Sequence, residues 1–287
     1  MPVGKGRSCS QPYTVPLLGQ KDFETFRSYL YAELGLSIAP SKLGMLQARL
    51  QKRLRALEMQ SFKEYARHLF SESGKATEFP HLADVVTTNT TEFFREAKHF
   101  DYLVTRLLPQ WVADNSGKVF SVWSAGCSSG EEPYTLAMLL SQYGDQCRGF
   151  NFTVLATDIS CAMLEKAIRA VYPDDKIAKI PPEMRKKYLL RSKDPRKELV
   201  RIAPEVRSMV HFRRLNFMDP FDLGERLDVI FCRNVLIYFD RTTQEKLIRK
   251  FCTHLGKGGH LFIGHSESLA GMSLPLKQMA PAIYRKE

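Results

Sequence analysis

The sequence predicts a doubly wound α/β domain that carries an insertion and follows a smaller helical region. Three observations point to it. From Lys118 onward, short β-rich runs alternate with helical ones; between Asp22 and about Phe70, apolar residues recur at helical spacing; and between Tyr172 and Leu215, five prolines break the alternation. Alternating β and α units imply a mostly parallel sheet covered on both faces.

The helical region has polar breaks at Leu36-Ser-Ile-Ala-Pro40 and Leu57-Glu-Met-Gln-Ser61, which divide it into two or three short helices. Within Ser41–Glu58, Leu43, Leu46, Leu50, Leu54 and Leu57 form one narrow stripe at 3.6 residues per turn, and Arg49, Lys52, Arg53 and Arg55 spread over the remainder. An amphipathic helix with a basic outer face follows. Its plain reading is a solvated face packed through leucines; residues 41–70 carry seven Lys/Arg against two Glu, which makes an acidic partner the alternative.

In the second region Val119-Phe-Ser-Val-Trp123 reads as a buried strand, followed by a Gly/Ser loop and a helix from about Glu131 to Tyr143. Then come the strand Phe152–Thr157, a helix from Cys161 to Val171, the strand-like Met209–Phe212, the strand Leu227–Phe231, a helix near Thr243–Leu255 and a strand His260–Gly264. The proline-rich interruption, residues 173–210, holds a helical piece around Glu183–Leu190 and strand-like runs near Glu198–Ile202 and Met209–His211. It reads as an inserted subdomain. Residues 161–214 contain fifteen Lys/Arg and seven Asp/Glu, so much of the basic charge falls here.

The chain has 287 residues and a formal net charge of +11, which points to an anionic partner: nucleic acid, a membrane surface or an acidic protein. No run approaches the about 18 apolar residues of a transmembrane helix. Residues 1–20 begin with a Gly-, Ser- and Lys/Arg-containing stretch without the apolar core of a secretion signal, and a flexible tail is expected there. Cys9, Cys127, Cys147, Cys161, Cys232 and Cys252 stand singly, without C-x-x-C or a His at ligand spacing. Neither a metal nor a disulfide framework is expected, and a cytoplasmic location fits.

The sharpest chemical feature is Val122-Trp-Ser-Ala-Gly126-Cys-Ser-Ser-Gly130-Glu-Glu132-Pro-Tyr. A strand ending in a Gly/Ser loop that feeds a helix lets a ligand approach the backbone closely. The spacing is neither G-x-G-x-x-G nor a P-loop, and Glu131 and Glu132 at the helix start repel a phosphate. A cationic or amine-bearing cofactor is preferred, and S-adenosylmethionine carries both an α-amino group and a sulfonium charge. Asp158, twenty-eight residues after Gly130, ends the next strand, where such folds hydrogen-bond a ribose. The alternative for Asp158, or for Ser160, is a helix N-cap. Upstream, Val86-Thr-Thr-Asn89-Thr-Thr91-Glu-Phe-Phe-Arg95 sets an arginine able to hold a carboxylate beside aromatics. Downstream, Phe231-Cys-Arg233-Asn234-Val-Leu-Ile-Tyr238-Phe-Asp240 sets polar groups past the fourth strand; a buried, satisfied Tyr238 is the plain alternative.

These segments, Thr87–Glu96, Trp123–Tyr134 and Phe231–Asp240, together with Gly264-His-Ser-Glu-Ser268, resemble the CheR family of chemotaxis-receptor glutamate methyltransferases. The resemblance runs from about Asp22 to near the end of the chain. It implies a helical domain over 21–90 and a class I S-adenosylmethionine methyltransferase domain over 91–287, with a small antiparallel β subdomain inserted at 173–210. It implies a cofactor site of Asn89, Thr91, Arg95, Glu132, Asp158, Asn216, Phe217, Arg233 and Asn234, with Arg95 and Tyr238 nearest the transferred methyl. The product would be S-adenosylhomocysteine, with no metal. Arg49, Lys52, Arg53 and Arg55 would dock the helical coiled coil of a receptor, and some family members also hold a receptor C-terminal peptide on the β subdomain. A cytoplasmic enzyme recruited to membrane receptor arrays is the expected setting.

Two other readings use the same charge. A nucleic-acid methyltransferase would show an Asn-Pro-Pro-Tyr type motif where Arg233-Asn234-Val235-Leu236 stands, and an aromatic-and-basic alternation for stacking bases. A binding module that retains the cofactor only for sensing is the other reading, and the matched Arg95 and Tyr238 argue against lost catalysis.

Overall fold

A computed structural model describes residues 16–287 except 195 and 225. Four helices come first: α1 (Gln20–Leu34), α2 (Leu43–Ala56), α3 (Phe62–Leu69) and α4 (Glu72–Val86). The leucine stripe does what its spacing predicts: Leu46, Leu50 and Leu54 are fully buried against Phe23, Phe26, Tyr65 and Leu82. The α4 helix has no counterpart in the sequence reading, because Gly74 and an internal Pro80 disguise its period. Of the expected tail, residues 1–15 lie outside the described residues, while its end is fastened: Leu18 is buried and its N–H donates to Gln47 Oε1 at 2.8 Å.

Next come α5 (Lys98–Tyr102), a π-helical turn (Leu103–Leu107) and α6 (Leu108–Asp114), also unforeseen. The α/β domain then runs β1 (Val119–Ala125), α7 (Glu131–Gln146), β2 (Asn151–Asp158), α8 (Cys161–Arg169), β3 (Val171–Pro173), α9 (Pro182–Tyr188), β4 (Leu189–Arg191), β5 (Leu199–Ile202), α10 (Pro204–Arg207), β6 (Val210–Arg214), β7 (Leu227–Cys232), α11 (Arg241–His254), β8 (Leu255–Ile263), β9 (Leu276–Ala280) and β10 (Ile283–Lys286).

Seven strands form the main sheet in the order β6-β2-β1-β7-β8-β10-β9. The first five are parallel, and β10 and β9 add an antiparallel edge. Strand alternation feeds two cores: Phe120 and Val122 of β1, with Val229 and Phe231 of β7, point to one face, while Trp123, Ala125, Ile230 and Cys232 point to the other.

The insertion is a second, three-stranded antiparallel sheet in the order β3-β5-β4. Two boundaries differ from the sequence reading. Met209–His211 leads into β6, which pairs with β2 in the main sheet, and the inserted sheet opens at Val171, where Ala170 in a left-handed conformation (φ 53°) ends α8. Strand β8 begins earlier than expected; Gly256, Gly258 and Gly259 weaken its sequence signal.

The helical domain closes over the carboxyl ends of the parallel strands. Tyr31 Oη donates to Asp240 Oδ2 at 2.7 Å, Ser37 N to the Tyr238 carbonyl at 2.9 Å, and Asn216 Nδ2 to the Glu33 carbonyl at 2.8 Å. Asp84 of α4 accepts from Ser160 Oγ at 2.7 Å and from Ala162 N at 3.2 Å, joining α4 to the start of α8.

Candidate functional site

Between that roof and the strand ends lies a cleft of about 520 Å³, within the range of pockets that hold ligands of cofactor size. Its floor is the turn after β1. Gly126 (φ 86°) and Gly130 (φ 96°) both adopt left-handed backbone, and a Cβ on Gly126 would stand 2.6 Å from Val235 Cγ2. Gly130 caps α7, whose first turn carries the buried Glu131 and Glu132.

Asp158 ends β2 with both oxygens on backbone donors: Ser128 N to Oδ2 at 2.8 Å and Ser160 N to Oδ1 at 2.9 Å. Ser160 is the actual N-cap of α8, accepting from Met163 N. Burial raises the Asp158 carboxyl above the usual range, an effect the amide hydrogen bonds oppose. Each carboxylate oxygen keeps a lone pair after one hydrogen bond, and Asp158 faces the cleft.

Glu132 is held from two sides: Ser124 Oγ donates to Oε1 at 2.6 Å and Arg233 Nε to Oε2 at 2.6 Å. Arg233 is itself buried, its Nη1 donates to the Arg95 carbonyl at 2.5 Å, and its guanidinium lies over the Phe100 ring at 5.0 Å. Thus Arg233 orders Glu132 and fastens the 89–95 segment to the strand ends. Arg95 spends one arm on the Thr90 carbonyl (Nη1, 2.9 Å), and no other side-chain partner is seen among the described residues.

Asn89, Thr91, Arg95, Glu132, Asp158, Asn216, Phe217, Arg233, Asn234 and Tyr238 all line this one cleft. The four cations of α2 do not act together. Arg49 reaches the cleft and binds the Val86 carbonyl and Thr88 Oγ1, while Arg53 turns inward to Glu78. Only Lys52 and Arg55 of the four are exposed. Arg53 as a docking residue is therefore corrected: its Nε and Nη2 grip the nearly inaccessible Glu78 at 2.7 and 2.9 Å.

Several contributors had no signal in the sequence. Leu36, Ser37, Ile38 and Lys42, from the link between α1 and α2, form the roof, and that stretch reads only as a polar break. Ser128 donates its hydroxyl to the Asn89 carbonyl at 2.8 Å. Behind the site, Glu96, His99 and His265 bring ligand-type atoms within 4.8 Å of one another, but Arg233 Nη1 lies 3.4 Å from His99 Nδ1 and puts a cation against the cluster.

A parallel sheet with a glycine turn after its first strand, an acid at the end of its second, and a cleft across both defines a nucleotide-cofactor fold, and its donor set suits one cofactor class. Asp158 offers acceptors to a diol, Glu132 and the Asn234 amide suit an amine, and Leu215, Phe217 and Ile159 give an apolar slot for a base. This is an S-adenosylmethionine-dependent methyltransferase. Residues 21–87 match the CheR methyltransferase all-alpha domain and residues 89–284 the CheR methyltransferase SAM binding domain, and the chain belongs to that family. It is 38% identical over 262 residues to a chemotaxis protein methyltransferase of Borreliella burgdorferi, covering 90% of this chain and 91% of the relative. It is 35% identical to chemotaxis protein methyltransferase 2 of Pseudomonas aeruginosa (92% of each chain) and 34% identical to the chemotaxis protein methyltransferase of Escherichia coli (93% and 91%). Among the described residues, no helix is long and apolar enough to cross a membrane.

Proposed function

We propose that the protein transfers the methyl group of S-adenosylmethionine to glutamate side chains on the cytoplasmic coiled coil of chemoreceptors. One observation carries the acceptor class. The acids in the cleft are engaged internally, Glu132 by Arg233 and Ser124 and Asp158 by backbone amides, whereas Lys42, Arg49 and Arg95 line the same cleft as cations. That polarity suits an anionic acceptor.

Asp158 would hold the ribose, Glu132 the methionine end, and Asn216 with Phe217 would flank the adenine; Asn89, Thr91, Arg233 and Asn234 complete the cofactor site. The bound cofactor supplies a methyl group on a positively charged sulfur and leaves as S-adenosylhomocysteine. A glutamate with pKa about 4.3 is already ionised at neutral pH, so no general base is required. Arg95 orients the carboxylate through its uncommitted guanidinium donors, and Tyr238 shapes the transfer region. These residues would hold the acceptor carboxylate oxygen in line with the methyl group that the bound cofactor would supply, and fixed orientation can provide about 7–11 kcal/mol of a barrier.

Lys52 and Arg55 on the open face of α2 would steer the acidic receptor helix, and the outer edges of β3 and β4 would accept a receptor C-terminal peptide as an added strand. Recruitment to receptor arrays would follow from those contacts. The test is to incubate the protein with methyl-labelled cofactor and receptor fragments. Base-labile label on glutamate is expected; base-stable label, or label on nucleic acid, would overturn the reading. Arg95→Ala should lower the transfer rate at least tenfold even when measured at saturating S-adenosylmethionine.

A further inference from the structure

The Gly264-His-Ser-Glu-Ser268 segment touches the reacting region only from behind, yet it is bonded to both loops that form it. It leaves β8 as a tight turn, closed by Glu267 N donating to the Gly264 carbonyl at 2.9 Å. The Glu267 carboxylate then turns back. Its Oε2 accepts from Gly264 N at 2.5 Å and from Asn234 N at 3.1 Å, and its Oε1 accepts from Ile237 N at 3.3 Å.

Those last two donors belong to the stretch between β7 and α11 that delivers Asn234 and Tyr238 to the cleft. Asn234 stands there in left-handed backbone, φ 60°, a conformation that asparagine adopts more readily than most residues with a side chain. The approach is close enough to require glycine at 264, since a Cβ there would lie 2.7 Å from Asn234 Nδ2 and 2.9 Å from Asn234 N. The same turn reaches the second loop: His265 N donates to Glu96 Oε1 at 3.2 Å, one residue beyond Arg95.

We propose that Glu267 is a positioning residue for methyl transfer, one carboxylate that clamps the Asn234–Tyr238 turn and so sets Tyr238 against the reacting atoms. The role rests on the proposed placement of Tyr238 beside the transferred methyl. The carboxylate presents two acceptor oxygens to these amide donors, where a carboxamide of the same length presents only one. In Glu267→Gln the amide oxygen still serves Gly264 and Asn234, but the NH₂ group faces the Ile237 N–H, donor against donor. The damage therefore falls on the Tyr238 side of the turn.

The experiment compares wild type, Glu267→Gln, Glu267→Asp, Tyr238→Phe and the double variant Glu267→Gln/Tyr238→Phe. Each full-length protein is saturated with S-adenosylmethionine and receptor fragment for kinetics, and with S-adenosylhomocysteine for amide hydrogen exchange. Glu267→Gln should lower kcat at least tenfold while KM for the receptor fragment changes less than threefold. Glu267→Asp, which keeps the charge, should recover part of the loss. In the Tyr238→Phe background the same substitution should cost less than threefold. Exchange should accelerate at least tenfold at Ile237 and Tyr238 and stay near wild type in β1. A kcat within twofold of wild type, full additivity with Tyr238→Phe, or unchanged exchange at Ile237 would each overturn the clamp. If wild type forms no glutamate ester, the acceptor reading fails, and the exchange arm still decides whether Glu267 holds the turn.

Discussion

Arg233 Nε lies 2.6 Å from Glu132 Oε2 where both residues are under a tenth exposed, an ion pair joining the end of β7 to the first turn of α7 beneath the cofactor cleft. Removing one partner strands the other charge away from water. Arg233→Met should therefore destabilise the fold by about 3–5 kcal/mol, and Glu132→Gln/Arg233→Met should recover much of that loss, because no unpaired carboxylate remains. Urea unfolding of the three proteins checks it; equal stability of single and double variants would mean the pair is not coupled.

Gly126 sits between two constraints, a backbone at φ 86° and Val235 Cγ2 only 2.6 Å from where a Cβ would stand. Val is stiff at χ1 and yields little. Gly126→Ala is expected to weaken S-adenosylhomocysteine binding at least tenfold by calorimetry. Adding Val235→Ala removes the clash but leaves the left-handed backbone, so binding should return only in part. Full recovery would show that φ strain contributes nothing.

The site was legible wherever chemistry and period coincide. The glycine turn, Asp158 at a strand end and the polar run after β7 are local patterns, and the fold places each at the carboxyl edge of one parallel sheet. Other features resisted. The α4 helix hides behind Gly74 and Pro80. The roof residues Leu36 to Lys42 acquire their place only when the helical domain closes. Arg53 looks like any surface cation on a leucine-striped helix, and its inward turn is decided by Glu78, twenty-five residues away. Glu267 falls in a segment that carries the family resemblance, but its carboxylate is bonded to amides rather than side chains, so residue types alone do not announce what it holds.

His99 should make the fold acid-sensitive. It is almost wholly buried beside Arg233 and His265, and burial first, then those two neighbours, pulls its pKa down to about 3. The ring is therefore neutral, and its 3.4 Å contact with Glu96 is not an ion pair at neutral pH. In the unfolded chain the same histidine titrates near 6.5, so between about 6.5 and 3 the unfolded state binds a proton that the native state does not. Stability attributable to this group falls as pH drops, by up to about 1.4 kcal/mol per pH unit. His99→Gln, which cannot take that proton, should show a shallower decline from pH 6 to 4.5 in urea titrations. Parallel curves would remove His99 from the acid response.

The basic face of α2 divides into two jobs that separate experimentally. Arg53 grips Glu78 through two donors, and Tyr65 Oη adds a third hydrogen bond to Glu78 Oε1 at 2.8 Å. With Glu78 only 2% exposed, Arg53→Ala leaves a buried carboxylate without its cation and should cost about 3–5 kcal/mol of stability. Lys52 and Arg55 stand in solvent, where charge acts through long-range attraction. The double reversal Lys52→Glu/Arg55→Glu should leave the melting temperature within about 2 °C, since surface substitutions away from such contacts are usually within about 0.5 kcal/mol. Its effect should appear instead in kcat/KM for receptor fragments, as a loss of about tenfold or more at low ionic strength. Because the Debye length shrinks from about 30 Å at 0.01 M salt to about 3 Å at 1 M, that loss should narrow steadily as salt is added. A salt-independent loss would mean that the two side chains pack against the receptor rather than steer it, and no loss at any ionic strength would place the docking surface elsewhere.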